Sequence, residues 1–271
     1  MSRSMYQADL VELVYQNLAE TIREITRRSR GVVHEEGGLL LYAGAPLDPA
    51  LWNGALRVHP GLPAEEVVSR ARRFFEERGR GFTLHAMGPV DPDLDATMKS
   101  FGRKADSDSP QMVLEAPIEP PLVLPGVTMQ EVKTDEQRED FLTAVSSGFR
   151  ELGVRDDTWR AAYPDVRSLS APHIVAIVAY LERSPVAGAM VYVSHGVAEV
   201  IHVGVSPAHR RRGLGELVTR AVISAGFDRG ARLASLQATP MGESVYRRIG
   251  FWEIARYRWY IFPAPQEARK P

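Results

Sequence analysis

Val203-Gly204-Val205-Ser206-Pro207-Ala208-His209-Arg210-Arg211-Arg212-Gly213-Leu214-Gly215 joins a predicted strand to a predicted helix through a turn holding three arginines and two glycines. Upstream, Ala198-Glu199-Val200-Ile201-His202-Val203-Gly204-Val205 is rich in β-branched residues and reads as a strand. Downstream, Glu216-Leu217-Val218-Thr219-Arg220-Ala221-Val222-Ile223 repeats apolar residues at helical spacing. Gly213 and Gly215 lack the Cβ atoms that would hold an anion away from the main chain. The first N–H groups of a helix have no internal partners, and its dipole favours negative charge at that end. Arg210, Arg211 and Arg212 add forked donors. Strand, turn and helix start together predict a cradle for a pyrophosphate.

A second motif follows. Tyr246-Arg247-Arg248-Ile249-Gly250-Phe251 closes a short predicted helix and opens the last strand. Arg210-x-x-Gly213-x-Gly215 resembles the Q/R-x-x-G-x-G/A signature of the GNAT superfamily of N-acetyltransferases, and the second segment resembles that family's "LYEKLGF" run. The resemblance covers residues 127–262. It implies acetyl-CoA as co-substrate, with Arg210, Arg211, Arg212, Gly213, Leu214 and Gly215 at the pyrophosphate. It also implies that the backbone of Val203, Gly204 and Val205 binds the pantetheine arm, on a strand that splays from its neighbour. Tyr246 takes the place of the tyrosine that protonates the leaving thiolate, and Glu199 a place where several members carry the base. Where the family often has an asparagine touching pantetheine, this chain has Thr239 followed by Pro240, so that contact is shortened or lost.

Composition narrows the alternatives. The apolar and charged fractions are those of a globular protein, and 271 residues suit one large domain or two ordinary ones. A net charge of −1 gives no basic field for nucleic acid. The absence of cysteine removes disulfides, thiol catalysis and thiolate metal sites. No apolar run reaches the ~18 residues of a membrane span, and the charged, amphipathic N-terminus is unlike a signal peptide. A cytoplasmic protein without metal, membrane or nucleic-acid partner is expected. No Gly-Lys dipeptide exists for a Walker loop, and Val218 stands where a dinucleotide fingerprint needs its third glycine. Gly242-Glu243-Ser244-Val245-Tyr246 lacks the second glycine of a nucleophile elbow.

Pro117, Pro120, Pro121 and Pro125 mark a linker. The expected domains are 1–116, a linker at 117–126, a catalytic domain at 127–262 and a tail at 263–271. The second half predicts strands at 127–132, 173–181, 186–194, 197–205, 232–238 and 251–262, with helices at 135–149, 157–163, 214–227 and 242–248. The first half predicts the same order: a helix at 7–27, a hairpin around Glu36-Gly37-Gly38, a strand at 55–59, a helix at 64–78, then the run Arg78 to Ala86, a short helix to Ser100 and a strand at 111–114. A repeat of whole-domain length reads as two copies of one fold. The fold class is therefore α/β (α+β): two tandem GNAT-like domains, each a mixed, mostly antiparallel sheet flanked by helices. In the first copy, Leu62-Pro63-Ala64-Glu65-Glu66 replaces the arginine–glycine turn. Its carboxylates satisfy the helix dipole themselves and would repel a pyrophosphate, so this copy is expected not to bind CoA.

Acetylation of an amine needs a neutral nucleophile, a stabilised oxyanion and a proton for the thiolate. Glu199 is the candidate base; strand alternation places it with Ile201 and Val203 unless a bulge intervenes. Tyr246 is the candidate acid, since a phenol of pKa near ~10 is protonated at neutral pH. Gly204 suits a bulge or a close backbone approach, and an N–H of the same stretch suits the oxyanion. His202 is expected on the face opposite Glu199, packed in the sheet, and His209 in solvent. The expected activity is N-acetylation of a primary amine, most simply of a small molecule, in a ternary complex. A non-catalytic acyl-CoA sensor and a protein lysine or N-terminal acetyltransferase remain as alternatives. The sequence leaves the acceptor and the oligomeric state open.

Overall fold

A computed structural model describes residues 3–115, 118–119 and 123–265. Ala116 at the end of the expected first domain, Pro117, Pro120, Pro121 and Leu122 of the expected linker, and residues 266–271 of the expected tail lie outside the described residues. Two compact units divide the chain: Met1–Gln111 with Glu253–Pro271, and Met112–Trp252. No described helix is long and apolar enough to cross a membrane, and no group of three or more His, Asp or Glu side chains among the described residues is placed to hold a metal.

The first unit runs α1 (Arg3–Arg28), β1 (Val32–Glu36), β2 (Leu39–Ala43), β3 (Asn53–Arg57), α2 (Ala64–Glu76), β4 (Phe82–Met87), α3 (Pro92–Ser100) and β5 (Ser107–Glu115). Its sheet has the order β1-β2-β3-β4, then β11 (Trp252–Phe262), then β5. β3 and β4 are parallel, Gly54 against Thr83 and Ala55 against Leu84, and α2 makes the crossover between them. α2 buries Val67, Val68, Ala71, Phe74 and Phe75 on Leu39, Leu41, Ala55, Leu84 and Ala86 of the sheet.

The second unit runs from Met112–Glu115 of β5 through β6 (Val127–Glu131), α4 (Asp135–Phe149), α5 (Asp156–Ala162), β7 (Ile174–Leu181), β8 (Ser184–Ser194), β9 (Val197–Val205), α6 (Leu214–Asp228), β10 (Leu233–Gln237) and α7 (Glu243–Ile249). Its sheet order is β5-β10-β9-β8-β7-β6. β6 to β9 form an antiparallel meander, and β10 returns parallel to β9 after α6. Leu217, Val218 and Val222 of α6 pack against Val175, Ala187, Val191 and Val200 on one face. α4 covers the other face. Its start is fixed by a capping box, in which Thr134 Oγ1 accepts from the Gln137 N–H and Gln137 Oε1 accepts from the Thr134 N–H.

The final strand departs from the expected boundary, which placed residues 251–262 in the C-terminal domain. β11 instead pairs antiparallel with β4, Tyr257 against Met87 through Phe262 against Phe82. Phe262 stacks on Phe82 with ring centroids 4.6 Å apart, and Tyr260 belongs to the core beneath α2. The Tyr260 hydroxyl donates to Asp95 Oδ1 at 2.8 Å, and Arg258 pairs with Asp95. Apolar alternation marks β11 as a strand but does not say which edge it joins; these contacts do.

Candidate active site

β9 and β10 part company at Glu199. Their registered parallel pairs are Val197–Leu233, Ala198–Ala234 and Glu199–Ser235, although β9 runs on to Val205 and β10 to Gln237. This is the splay that the family resemblance leads one to expect.

Glu199 sits in the crotch, fully buried. Ser235 Oγ donates to its Oε2, and Gln237 Nε2 donates to its Oε1 at 3.0 Å. Burial pushes the carboxyl up to about 7, and the two hydrogen bonds pull it only part of the way back. A carboxyl of that pKa exchanges its proton near neutrality, as a general base must. Sequence reasoning overlooked Ser235 and Gln237. Their signal was present: two polar residues two apart on the otherwise apolar strand Leu233–Gln237 share a face.

Beyond Ile201 a bulge interrupts β9. Ile201 faces Met190 and Gly204 faces Gly188, so His202 and Val203 together oppose Ala189. His202 has φ +56°, in the left-handed region. The extra residue inverts the alternation, which corrects the expected grouping of Glu199, Ile201 and Val203. Glu199, Ile201 and Gly204 share the α4 face, whereas Val203 and Val205 pack into the core beneath α6. A Cβ on Gly204 would lie 2.7 Å from Val145 Cα, and one on Gly148 would lie 2.9 Å from the Val205 nitrogen. These two glycines let α4 rest directly on the bulged strand.

The bulge also turns His202 toward α5 rather than away from it. Its ring stands edge-on to Trp159, with centroids 4.9 Å apart, and its Nε2 pairs with the Tyr163 hydroxyl. Burial holds the imidazole down at about 3, hence neutral. His209, half-buried, lies 3.4 Å from Ser206 Oγ through Nδ1.

The arginine–glycine turn enters α6 through Gly213, the N-cap, at φ +80°. No side chain caps this helix, so its leading N–H groups are left for a ligand. Glycine is needed at 213 because a left-handed φ strains any L side chain. At Gly215 a Cβ would lie 3.6 Å from Val205 Cγ2, an ordinary contact. Arg211 and Arg212 are exposed and make no ion pair among the described residues. Arg210 behaves differently. Its Nη1 donates to Glu151 Oε2 at 2.7 Å and its Nη2 to the Gly148 carbonyl at 3.3 Å, tying the turn to the end of α4. Uncapped N–H groups, a left-handed glycine and two free guanidinium groups fit a pyrophosphate.

Tyr246 lies on α7, its ring in the core of the second unit against Phe251 and over Gly242. The hydroxyl makes no hydrogen bond to a described residue. Burial pushes the phenol up to about 12. Thr239 is exposed, and its Oγ1 accepts from the Gly242 N–H at 3.2 Å. It shapes the turn into α7, so its expected place among the cofactor ligands has this competing structural use. Arg247 pairs with Glu243 one turn away, and Arg248 lies 3.8 Å from Glu216.

The GNAT acetyltransferase family model matches residues 134–251. Among solved structures, a GCN5-related N-acetyltransferase from Kribbella flavida is similar over 92% of this chain and 97% of its own, with a TM-score of 0.70 and 23% identity. A GCN5-related N-acetyltransferase from Sphaerobacter thermophilus matches over 85% of this chain and 82% of its own, with a TM-score of 0.60 and 17% identity. A tandem GNAT protein from the clavulanic acid biosynthesis pathway matches over 85% and 81%, with a TM-score of 0.57 and 19% identity. No curated protein matches the sequence. At these identities the structural likeness concerns the fold; the sequence match to the family lies over the second unit, where the splay, the cradle and α7 are found. Residues 134–251 are a domain of the GNAT acetyltransferase family.

Proposed function

We propose that the second unit transfers the acetyl group of acetyl-CoA to a primary amine of a small molecule by direct attack in a ternary complex. Bound in the cradle, acetyl-CoA supplies an acyl thioester ready for attack. The leading N–H groups of α6 with Arg211 and Arg212 hold its pyrophosphate, and the backbone of Val203, Gly204 and Val205 holds the pantetheine arm. A main-chain N–H of that stretch donates to the oxygen on which charge develops. Glu199 takes the ammonium proton, directly or through water. Tyr246, protonated across the working pH range, gives its proton to the departing sulfur.

The observation that carries this reading is the parting of β9 from β10 at a buried carboxyl whose pKa lies near neutrality. A structural carboxylate would gain nothing from such a position. We propose further that the first unit is a copy without a CoA site.

Release of free CoA thiol from acetyl-CoA in the presence of small primary amines, lysine peptides and peptides with free N-termini tests the reading. Turnover is expected with small amines. Turnover confined to peptides would move the assignment to a protein acetyltransferase, and acetyl-CoA binding without turnover would leave a sensor.

A further inference from the structure

His202 is the one non-glycine residue inside a strand, among those described, that adopts a left-handed φ. Glycine is the low-strain choice for such a position, so a side chain kept there points to a use. Its neighbours Trp159 and Tyr163 are fully buried, while His202 itself is half-buried.

The proton count fixes what the ring offers. The buried Tyr163 hydroxyl has His202 Nε2 as its hydrogen-bonding partner. Were Nε2–H to donate to the phenol oxygen, the phenol proton would be left in the core without an acceptor. The satisfied arrangement is the reverse: the hydroxyl donates to Nε2, and the ring proton resides on Nδ1. Nδ1 makes no hydrogen bond to a described residue, and it is not among the buried polar atoms that lack partners. It is therefore open to an incoming group. The ring lies against Trp159 and Tyr163, the residues of α5 and its C-terminal end, on the sheet face that α4 covers.

We infer that His202 presents an Nδ1–H donor to the acceptor and selects amines that carry a carbonyl or carboxylate oxygen near the amino group. The reading of what binds rests on the acetyltransferase assignment; the tautomer does not. A neutral N–H donor attracts an oxygen lone pair and disfavours a second ammonium, so diamines and plain alkylamines are the poorer acceptors. The same proton count makes His202 unsuited to be the base, since its exposed nitrogen already carries the proton.

Long-range 15N NMR of the wild-type protein should show His202 in the Nδ1–H form, and Tyr163→Phe should release the ring from it. An Nε2–H form in the wild type overturns the inference. With CoA present, glycinamide should shift the His202 Nδ1 signal and propylamine should not; equal responses also overturn it. In turnover, the ratio of wild-type kcat/KM for glycinamide to that for propylamine should fall about five- to tenfold in Tyr163→Phe. The change should lie mainly in the glycinamide KM, with the KM for acetyl-CoA unaltered. An unchanged ratio counts against the subsite. His202→Gly, which suits a left-handed φ, should fold and lose the same preference. If no amine is turned over, the acetyltransferase reading fails, while the two NMR measurements still decide the role of His202.

Discussion

Glu199 carries opposite consequences for stability and for catalysis. Its folded pKa of about 7 lies above the ordinary glutamate value of 4.5, so the folded protein holds the proton more tightly than the unfolded chain. Stability from this group is therefore complete below about pH 4.5 and declines as pH rises through 7. Glu199→Gln removes the ionisable group while keeping shape and partners. In urea titrations it should be more stable than wild type at pH 8 by about 1–3 kcal/mol, in line with the shift, and nearly equal at pH 5. Turnover should fall most at low pH, where little free amine exists, and recover partly toward the amine pKa. A variant with the wild-type pH–rate profile would assign proton removal to water. Tyr246→Phe should lower turnover by roughly 10- to 1000-fold with little change in acetyl-CoA affinity. Its melting temperature should stay close to wild type, because the hydroxyl has no hydrogen bond to lose. Both candidates could be named from the sequence, Tyr246 because it opens the Tyr246–Phe251 motif and Glu199 because it stands on a clear strand leading into the arginine–glycine turn. The orientation of His202 was not, because alternation is read from residue spacing and a bulge adds a residue without any apolar signal.

At the scale of elements, the turn before α6 and the seam beneath α4 use glycine for different reasons. Gly213 needs a left-handed φ, while Gly204 needs the absence of a Cβ. Gly213→Val should lower acetyl-CoA affinity at least tenfold by calorimetry, since strain at the N-cap redirects the leading N–H groups. Gly215→Ala should alter affinity less than threefold, in keeping with its ordinary contact to Val205. Comparable losses at both positions would show that residue size, not backbone conformation, governs the turn. Gly204→Ala should destabilise the protein by about 1–3 kcal/mol by forcing α4 off the strand. The elements of the second unit were readable because apolar period and Gly or Thr boundaries agree, as at α4, where the expected bounds 135–149 are those found. The contact of Gly148 with Gly204 was not readable, since nothing local to either residue names a partner fifty-six positions away.

The whole molecule repeats its order of elements, and the repeat shows why one copy is the better candidate for a CoA site. In each unit a parallel pair follows a helical crossover: β3 with β4 around α2, and β9 with β10 around α6. Where the second unit has the bulged stretch after Glu199, the first has Arg57 at the end of β3. Arg57 Nε donates to Asp91 Oδ1 at 2.8 Å, and its Nη2 donates to Asp93 Oδ1 at 2.6 Å. The Tyr15 hydroxyl donates to the Arg57 carbonyl at 2.8 Å and lies 3.2 Å from Asp91 Oδ2. Arg57 and Asp91 are both buried, and burial raises the Asp91 pKa although Arg57 opposes the shift. A satisfied ion-pair network thus closes the end of β3, and Glu65 and Glu66 stand in the first turn of α2, where carboxylates disfavour a phosphate. The acidic helix start was legible in the sequence; the buried ion pair was not, because Arg57 and Asp91 are thirty-four residues apart and only the fold joins them. Calorimetry should accordingly find one acetyl-CoA per chain, and a stoichiometry of two would refute the assignment of a single competent unit. Arg57→Met should cost about 3–5 kcal/mol, because it strands Asp91 as a buried charge without its partner. The loss should be smaller at low pH, where Asp91 accepts a proton and no longer needs the guanidinium. Equal destabilisation at pH 5 and pH 8 would show that Arg57 acts through packing alone.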